Sequence, residues 1–114
     1  QETLNLFTGY GAGFVEVNKT PYTHPLLMMG EQLTPWAVAG FDALTPEDFA
    51  ALLAHAPELV LFGSGDRLRF PHPRLLAALT NQGIGVEVMD TPAACRTYNF
   101  LMAEGRRVLA VLLV

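Results

Sequence analysis

Leu59-Val60-Leu61-Phe62-Gly63-Ser64-Gly65 is the stretch that decides the fold, read together with Val86-Glu87-Val88-Met89 and the run Val108 to Val114. Each is a short, mostly apolar segment rich in branched side chains. Runs of this length that are continuous rather than alternating fit strands buried on both faces. Two stretches of helical period lie between them. Pro73 to Gln82 carries Leu75, Leu76 and Leu79 on one face and stops at Gly83. Further on, Thr91 is read as the cap of a helix opened by Pro92 and closed by Gly105. The order strand, helix, strand, helix, strand predicts right-handed crossovers onto a largely parallel sheet.

Upstream, a third helix has its own start signal. Thr45 can cap, Pro46 suits the first helical position, and Asp48 sits where a capping box needs an acid. Leu44 and Phe49 have the spacing of a hydrophobic staple, and Phe49, Leu52, Leu53 and Ala56 form an apolar face before Pro57. The predicted helices therefore cover 46–55, 73–82 and 92–104. The first 40 residues read as β. Leu4 to Thr8 alternates, and Phe14 to Val17 resumes after Gly9-Tyr10-Gly11-Ala12-Gly13, which predicts a hairpin around a Gly-rich connection. Pro21, Pro25 and Gly30 then divide the chain, leaving Leu26 to Met29 and Trp36 to Val38 as predicted strands. The expected architecture is a single α/β domain over 1–114, β-rich in its N-terminal half and βαβαβ in its C-terminal half.

Composition agrees with such a domain. A chain of 114 residues can bury roughly two-thirds of the surface it exposes unfolded. Apolar residues make up 51% and charged residues 16%, against a usual charged share of about 25%. The longest strictly apolar run, Val108 to Val114, falls far short of the roughly 20 residues a membrane helix needs. Gln1-Glu2-Thr3 shows no basic start or apolar stretch of a signal peptide, and there is no initiator Met, so further residues at both ends are expected. Cys95 is the only cysteine, which makes a reducing cytoplasm the expected location. Charge is unevenly placed. Residues 1–66 hold eight acids and one base, Lys19, whereas residues 67–114 hold six arginines and three acids. The net charge of −4 argues against a general nucleic-acid binder, while the C-terminal excess of arginine predicts a locally positive face.

The stretch Leu61 to Arg67, the longer one from Gly83 to Leu101, and Glu104-Gly105-Arg106-Arg107-Val108 together resemble a small family of unknown biochemical function. Its bacterial and archaeal members are mostly uncharacterised. Its eukaryotic members include a mitochondrial respiratory complex I assembly factor and an adipogenesis-associated domain protein. The resemblance covers most of the chain and is densest from residue 59 onward. It implies a three-layer α/β fold with a mixed central sheet.

Two places invite a chemical reading. Gly63-Ser64-Gly65 follows a strand directly, and ligands of open α/β sheets bind outside the carboxyl ends of strands. Two glycines there would let backbone approach a ligand, but the third glycine of a dinucleotide fingerprint and the lysine of a P-loop are missing. The helix start at Thr91 offers the second candidate, because free N–H groups and the helix dipole favour an anion. In a parallel arrangement both would border one crevice, with Arg67, Arg69 and Arg96 adding charge. Cys95 lies in the first turn beside Arg96, features that lower a thiol pKa, but none of His24, His55 and His72 has a spacing that supplies it with a base. A buried, inert cysteine is the expectation. Asn99, a poor helix former, is expected to bond a neighbouring segment. The three histidines and the cysteine form no metal-ligand spacing, and no cofactor is implied.

Two functional readings follow. The first is a non-enzymatic interaction or assembly module, with protein partners, a possible second copy of the chain, and neither nucleic acid nor a membrane span. Met28, Met29 and Trp36 are its candidate interface residues, since Met and large aromatics are enriched at interfaces. The second is a small anion- or metabolite-binding protein, or an enzyme, using the crevice between the Gly63–Gly65 loop and the Thr91 helix start, with Gly63, Ser64, Gly65, Arg67, Thr91, Cys95, Arg96 and Asn99 as its candidate residues.

Overall fold

Five strands of the computed structural model, which describes residues 4–114, form a central sheet in the order β5-β4-β8-β6-β7. These are β4 (Leu26–Met29), β5 (Gln32–Pro35), β6 (Leu59–Gly63), β7 (Gly85–Met89) and β8 (Val108–Leu112). Gln1, Glu2 and Thr3, whose composition bears on a signal peptide, lie outside the described residues. β6 pairs parallel with β7 and with β8, while β4 pairs antiparallel with β8 and β5. The sheet is therefore mixed, as the family resemblance implied.

The apolar runs are continuous because both faces are covered. Val60, Phe62, Leu109, Val111 and Leu27 point to one side, where they meet Trp36, Phe49, Leu52 and Leu79. Leu61, Val108, Ala110, Leu112, Leu26 and Met28 point to the other, against Ala94, Cys95, Tyr98, Phe7, Val15 and Val17. The first layer holds α1 (Pro46–Ala50) and α2 (Ala77–Thr80), and the second holds α3 (Thr91–Ala103) beside a small antiparallel sheet of β1 (Phe7–Gly11), β2 (Phe14–Val17) and β3 (Thr20–Tyr22). β6 reaches its neighbour β7 through α2 on one face. β7 reaches β8 through α3 on the other, passing β6 in the opposite lateral direction. Face and direction reverse together, so both crossovers keep the same hand.

The two shorter helices tighten into 3-10 turns. The 46–55 helix is α only to Ala50 and continues as a 3-10 turn over Ala51–His55, ending at Ala56 in the left-handed region. Pro57 explains that ending, since the residue before a proline is steered away from right-handed helical geometry. The capping box at its start is present in both directions: Thr45 Oγ1 accepts from the Asp48 N–H, and the Asp48 carboxylate accepts from the Thr45 N–H. The 73–82 helix opens as a 3-10 turn over Pro73–Leu76.

Three readings need correction. The glycines Gly9 and Gly11 lie within β1, and the hairpin turns at Ala12-Gly13. Trp36 to Val38 is not a strand; the strand pairing with β4 is Gln32–Pro35, which the punctuation by Gly30 and Pro35 disguised. Met28 and Trp36, the candidate interface residues, are not exposed. Met28 is fully buried between the central sheet and the α3 layer, and Trp36 packs edge-to-face on Phe49 and Phe62 in the opposite core. Met29 is half-buried and packs on that same second core. Apolar residues around Pro and Gly breaks here close the two cores of a sheet covered on both sides. Among the described residues, no helix is long and apolar enough to cross a membrane.

Candidate functional site

The connections after β6 and β7 leave the sheet toward opposite faces, and a crevice opens between them at the strands' carboxyl ends. This is the place where ligands of open α/β sheets bind. The cavity measures about 540 Å³, within the range of roughly 300–1,000 Å³ that small-molecule sites occupy. Ser64, Gly65 and Thr91 form its floor, the β1–β2 turn walls one side through Tyr10 and Phe14, and Phe41 and Arg69 wall the other. The two loops singled out in the sequence do border one concavity.

Their polar groups, however, face each other. Thr91 is buried, and its Oγ1 donates to the Leu113 carbonyl at 2.6 Å while accepting from the Gly65 N–H at 2.9 Å. The Thr91 N–H donates to the Gly65 carbonyl at 2.8 Å. Ser64, also buried, donates through Oγ to the Arg67 carbonyl at 2.7 Å and accepts from the Arg69 N–H at 3.0 Å. Gly63 is glycine for internal packing, since a Cβ there would lie 2.7 Å from Leu112 Cδ2 and 3.2 Å from Thr91 Cα. It does not serve close approach to a ligand.

The helix start carries a further correction. The cap of α3 is Asp90, not Thr91: the Asp90 side chain accepts from the Ala93 N–H at 2.8 Å. With the Ala94 N–H on the Asp90 carbonyl, the Thr91 N–H on Gly65 and no N–H on Pro92, every donor of the first turn is used. A carboxylate already occupies the position an anion would take. Asp-Thr-Pro held two residues able to cap, and Pro sits at the second helical position here rather than the first.

The other site residues divide clearly. Arg69 lines the cavity, stacks over Phe41 at 4.0 Å and pairs with Asp42 at 3.0 Å. Arg96 donates to the Tyr10 hydroxyl at 2.7 Å and so braces a wall from outside. Arg67 is exposed and is not part of the lining. Asn99 clamps β1, its Oδ1 accepting from the Phe7 N–H and its Nδ2 donating to the Phe7 carbonyl. Cys95 is buried in the core under α3, and burial pushes its thiol up to about 12 despite the lowering effect of Arg96. At that value the thiol is protonated at neutral pH and has no nucleophilic thiolate. Burial also raises the Tyr98 phenol, whose oxygen accepts from the Gly30 N–H. Tyr10, Phe14, Phe41, Leu113 and Val114 were missed as lining residues. The Gly-rich run around Tyr10 gave a hairpin signal but no sign of where its turn would dock. Among the described residues, no group of three or more His, Cys, Asp or Glu side chains is placed to hold a metal ion.

Known proteins are similar to this chain. A Bordetella parapertussis protein of known crystal structure superposes with a TM-score of 0.89 at 40% identity, over 98% of this chain and 97% of its own. An uncharacterized protein of Rhodobacter capsulatus is 39% identical over 107 residues, 92% of this chain and 81% of its own length. The bovine (Bos taurus) NADH dehydrogenase [ubiquinone] 1 alpha subcomplex assembly factor 3 is 39% identical over 103 residues, 89% of this chain. This chain spans about half, 55%, of that assembly factor's length. The match to the family described as "Protein of unknown function (DUF498/DUF598)" runs from residue 7 to residue 113, and the chain belongs to that family.

Proposed function

We propose that this chain is a non-enzymatic protein-interaction module of the assembly-factor kind. The observation that carries this reading is that the buried hydroxyls of its crevice, Ser64 and Thr91, are spent within the fold, which leaves Asp66 as the one acid of the lining with no His, Cys or Lys beside it. Catalysis needs an acid, base, nucleophile or metal ligand free to act and in mutual reach. Here Ser64, Thr91, Asp90 and Asn99 are all engaged within the fold, and the Cys95 thiol is buried and protonated. The 39% identity to a protein named as an assembly factor supports the same direction. The direct test is native electrophoresis of the tagged chain from its own host, with mass spectrometry of whatever comigrates. Migration in a defined complex of higher mass is the expected result; migration as the free chain under mild extraction, together with turnover of a metabolite by the purified protein, would overturn it.

The second reading, a small anion or metabolite site, is favoured by the size and placement of the cavity. Its electrostatics suit an uncharged ligand better than an anion. Asp42 already pairs with Arg69, Asp66 lines the same cavity, and the helix start is closed by Asp90. A metabolite that copurifies and shields Tyr10 and Phe41 would support this reading over the first.

A further inference from the structure

We infer that the segment Arg67-Leu68-Arg69-Phe70-Pro71-His72-Pro73-Arg74, between β6 and α2, is a docking surface for an acidic, apolar-bearing segment of a partner protein. The inference rests on the interaction-module reading and gives it a place and a chemistry. The segment holds three arginines, one histidine and no acid, on a chain of net charge −4. Ion pairs among the described residues are Arg69–Asp42 and Arg106–Glu58, so Arg67 and Arg74 are without one. Phe70 is 69% exposed and Leu68 51%. Two large apolar side chains thus stand in water between unpaired arginines.

The loop is also held in shape. The buried Ser64 hydroxyl ties the Arg67 carbonyl to the Arg69 N–H. Pro71 is buried, and His72 Nδ1 accepts from the Arg74 N–H. A surface already ordered loses little conformational entropy on binding. Arg and aromatic residues are the types that dominate interface energetics, and the loop adjoins the cavity through Arg69, where a partner side chain would find room. The charge of the remainder selects the partner. Residues 1–66 hold eight acids and one base, so a partner's carboxylates are drawn to this arginine-rich segment in preference to that acidic part of the chain. An anionic membrane fits less well, because only two apolar side chains protrude and the net charge opposes approach to a negative surface.

The test uses the full isotope-labelled chain and a synthetic heptapeptide alternating Glu with Leu and Phe, beside the same peptide with Lys for Glu. Expected are NMR shift changes centred on residues 67–74 and Phe41, and binding that weakens severalfold between about 50 and about 300 mM salt. The double substitution Arg67→Glu with Arg74→Glu should weaken binding about tenfold or more, as reversing two complementary charges does. Phe70→Ser should do the same, whereas Phe100→Ser, at a comparably exposed aromatic on α3, should leave binding unchanged. Should the charge reversals lower the melting temperature, Arg67→Ala with Arg74→Ala replaces them. Shifts centred elsewhere, equal binding of the Lys peptide, or unchanged binding in the variants would overturn the inference. So would binding of phosphatidylglycerol vesicles through this loop with no binding of the Glu peptide. Variants that lose the peptide but still enter a higher-mass complex would sink the loop and spare the interaction reading. An intact loop on a chain that stays alone in its host would do the reverse.

Discussion

The junction of Ser64-Gly65 with Thr91 and the segment from Arg67 to Arg74 are neighbours in the fold and opposites in chemistry. The former pair resembles a ligand loop, with glycines after a strand and a hydroxyl at a helix start, yet its polar atoms are consumed in joining β6, α3 and the residues after β8. The segment from Arg67 to Arg74 has the sequence of an ordinary connection, yet it leaves two arginines unpaired and two large apolar side chains exposed. A motif marks chemistry only when its groups remain available after folding. Glycine and hydroxyl residues at strand ends are equally useful for knitting three segments together, and here that use prevails.

The comparison is broken most forcefully at Thr91. Thr91→Val keeps the shape and leaves the Leu113 carbonyl and the Gly65 N–H without their partner. At about 1–3 kcal/mol for a buried group left unpaired, and less for the part-buried Gly65 N–H, the expected loss is about 2–4 kcal/mol. Thr91→Ser retains the hydroxyl and loses one methyl, so about 1 kcal/mol is expected. Urea unfolding of the two variants separates them. A valine variant as stable as the serine one would mean that the hydroxyl does not join these segments, and the junction would again be open to a ligand.

Much of this frame was legible in the sequence. The apolar runs at Leu59 and Val108, the capping box from Thr45 to Asp48, and the helix stop at Gly105 are local signals read in their own neighbourhood. The family resemblance supplied the mixed sheet. What stayed hidden depended on distant partners. β3 and β5 are three or four residues long and carry Pro21 and Pro35, so they have little periodicity of their own and exist by pairing with β2 and β4. Met28 read as a surface residue because the breaks around it mask a strand, β4, whose alternate side chains enter two different cores, and Trp36 because it lies just beyond β5, where no local period shows that it packs on Phe49 and Phe62. The cavity was half legible: its floor follows strands, but its walls come from a hairpin turn and from Phe41, both far away in the chain.

Cys95 sharpens the comparison from the buried side. Desolvation holds its thiol near 12, while in the unfolded chain it titrates near 9. Below the unfolded value both states are protonated and pH has no effect through this group. As pH rises from about 9 toward 12 the unfolded thiol ionises first, so stability falls, by up to about 1.4 kcal/mol per pH unit. The useful quantity is the difference between the parent and Cys95→Ala across pH 8 to 10.5, which cancels every other contribution to the pH dependence. That difference should shift in favour of the variant above about pH 9, and labelling of the folded parent by a thiol reagent at neutral pH should be slow. A flat difference with rapid labelling would place the thiol in contact with water and reopen the helix start as a reactive site.

The smallest effect is expected in the exposed loop, and its smallness is the point. Arg67 and Phe70 project into solvent and appear in no side-chain hydrogen bond or ion pair of the described residues. Substitutions away from buried or bonded features usually stay within about 0.5 kcal/mol, so Arg67→Glu and Phe70→Ser should unfold at nearly the parent urea concentration. Phe70→Ser also removes an exposed apolar group, which should leave solubility equal or better. Ser64→Ala, only a few residues away, should be clearly destabilised, because it frees the Arg69 N–H and the Arg67 carbonyl from the hydroxyl that orders the loop. If Arg67→Glu or Phe70→Ser cost as much as Ser64→Ala, those side chains would be part of the fold's own packing, and the division between a spent junction and an available loop would fail. Near-parent stability leaves both residues free for a role outside the fold, which the peptide titration then measures without interference from unfolding.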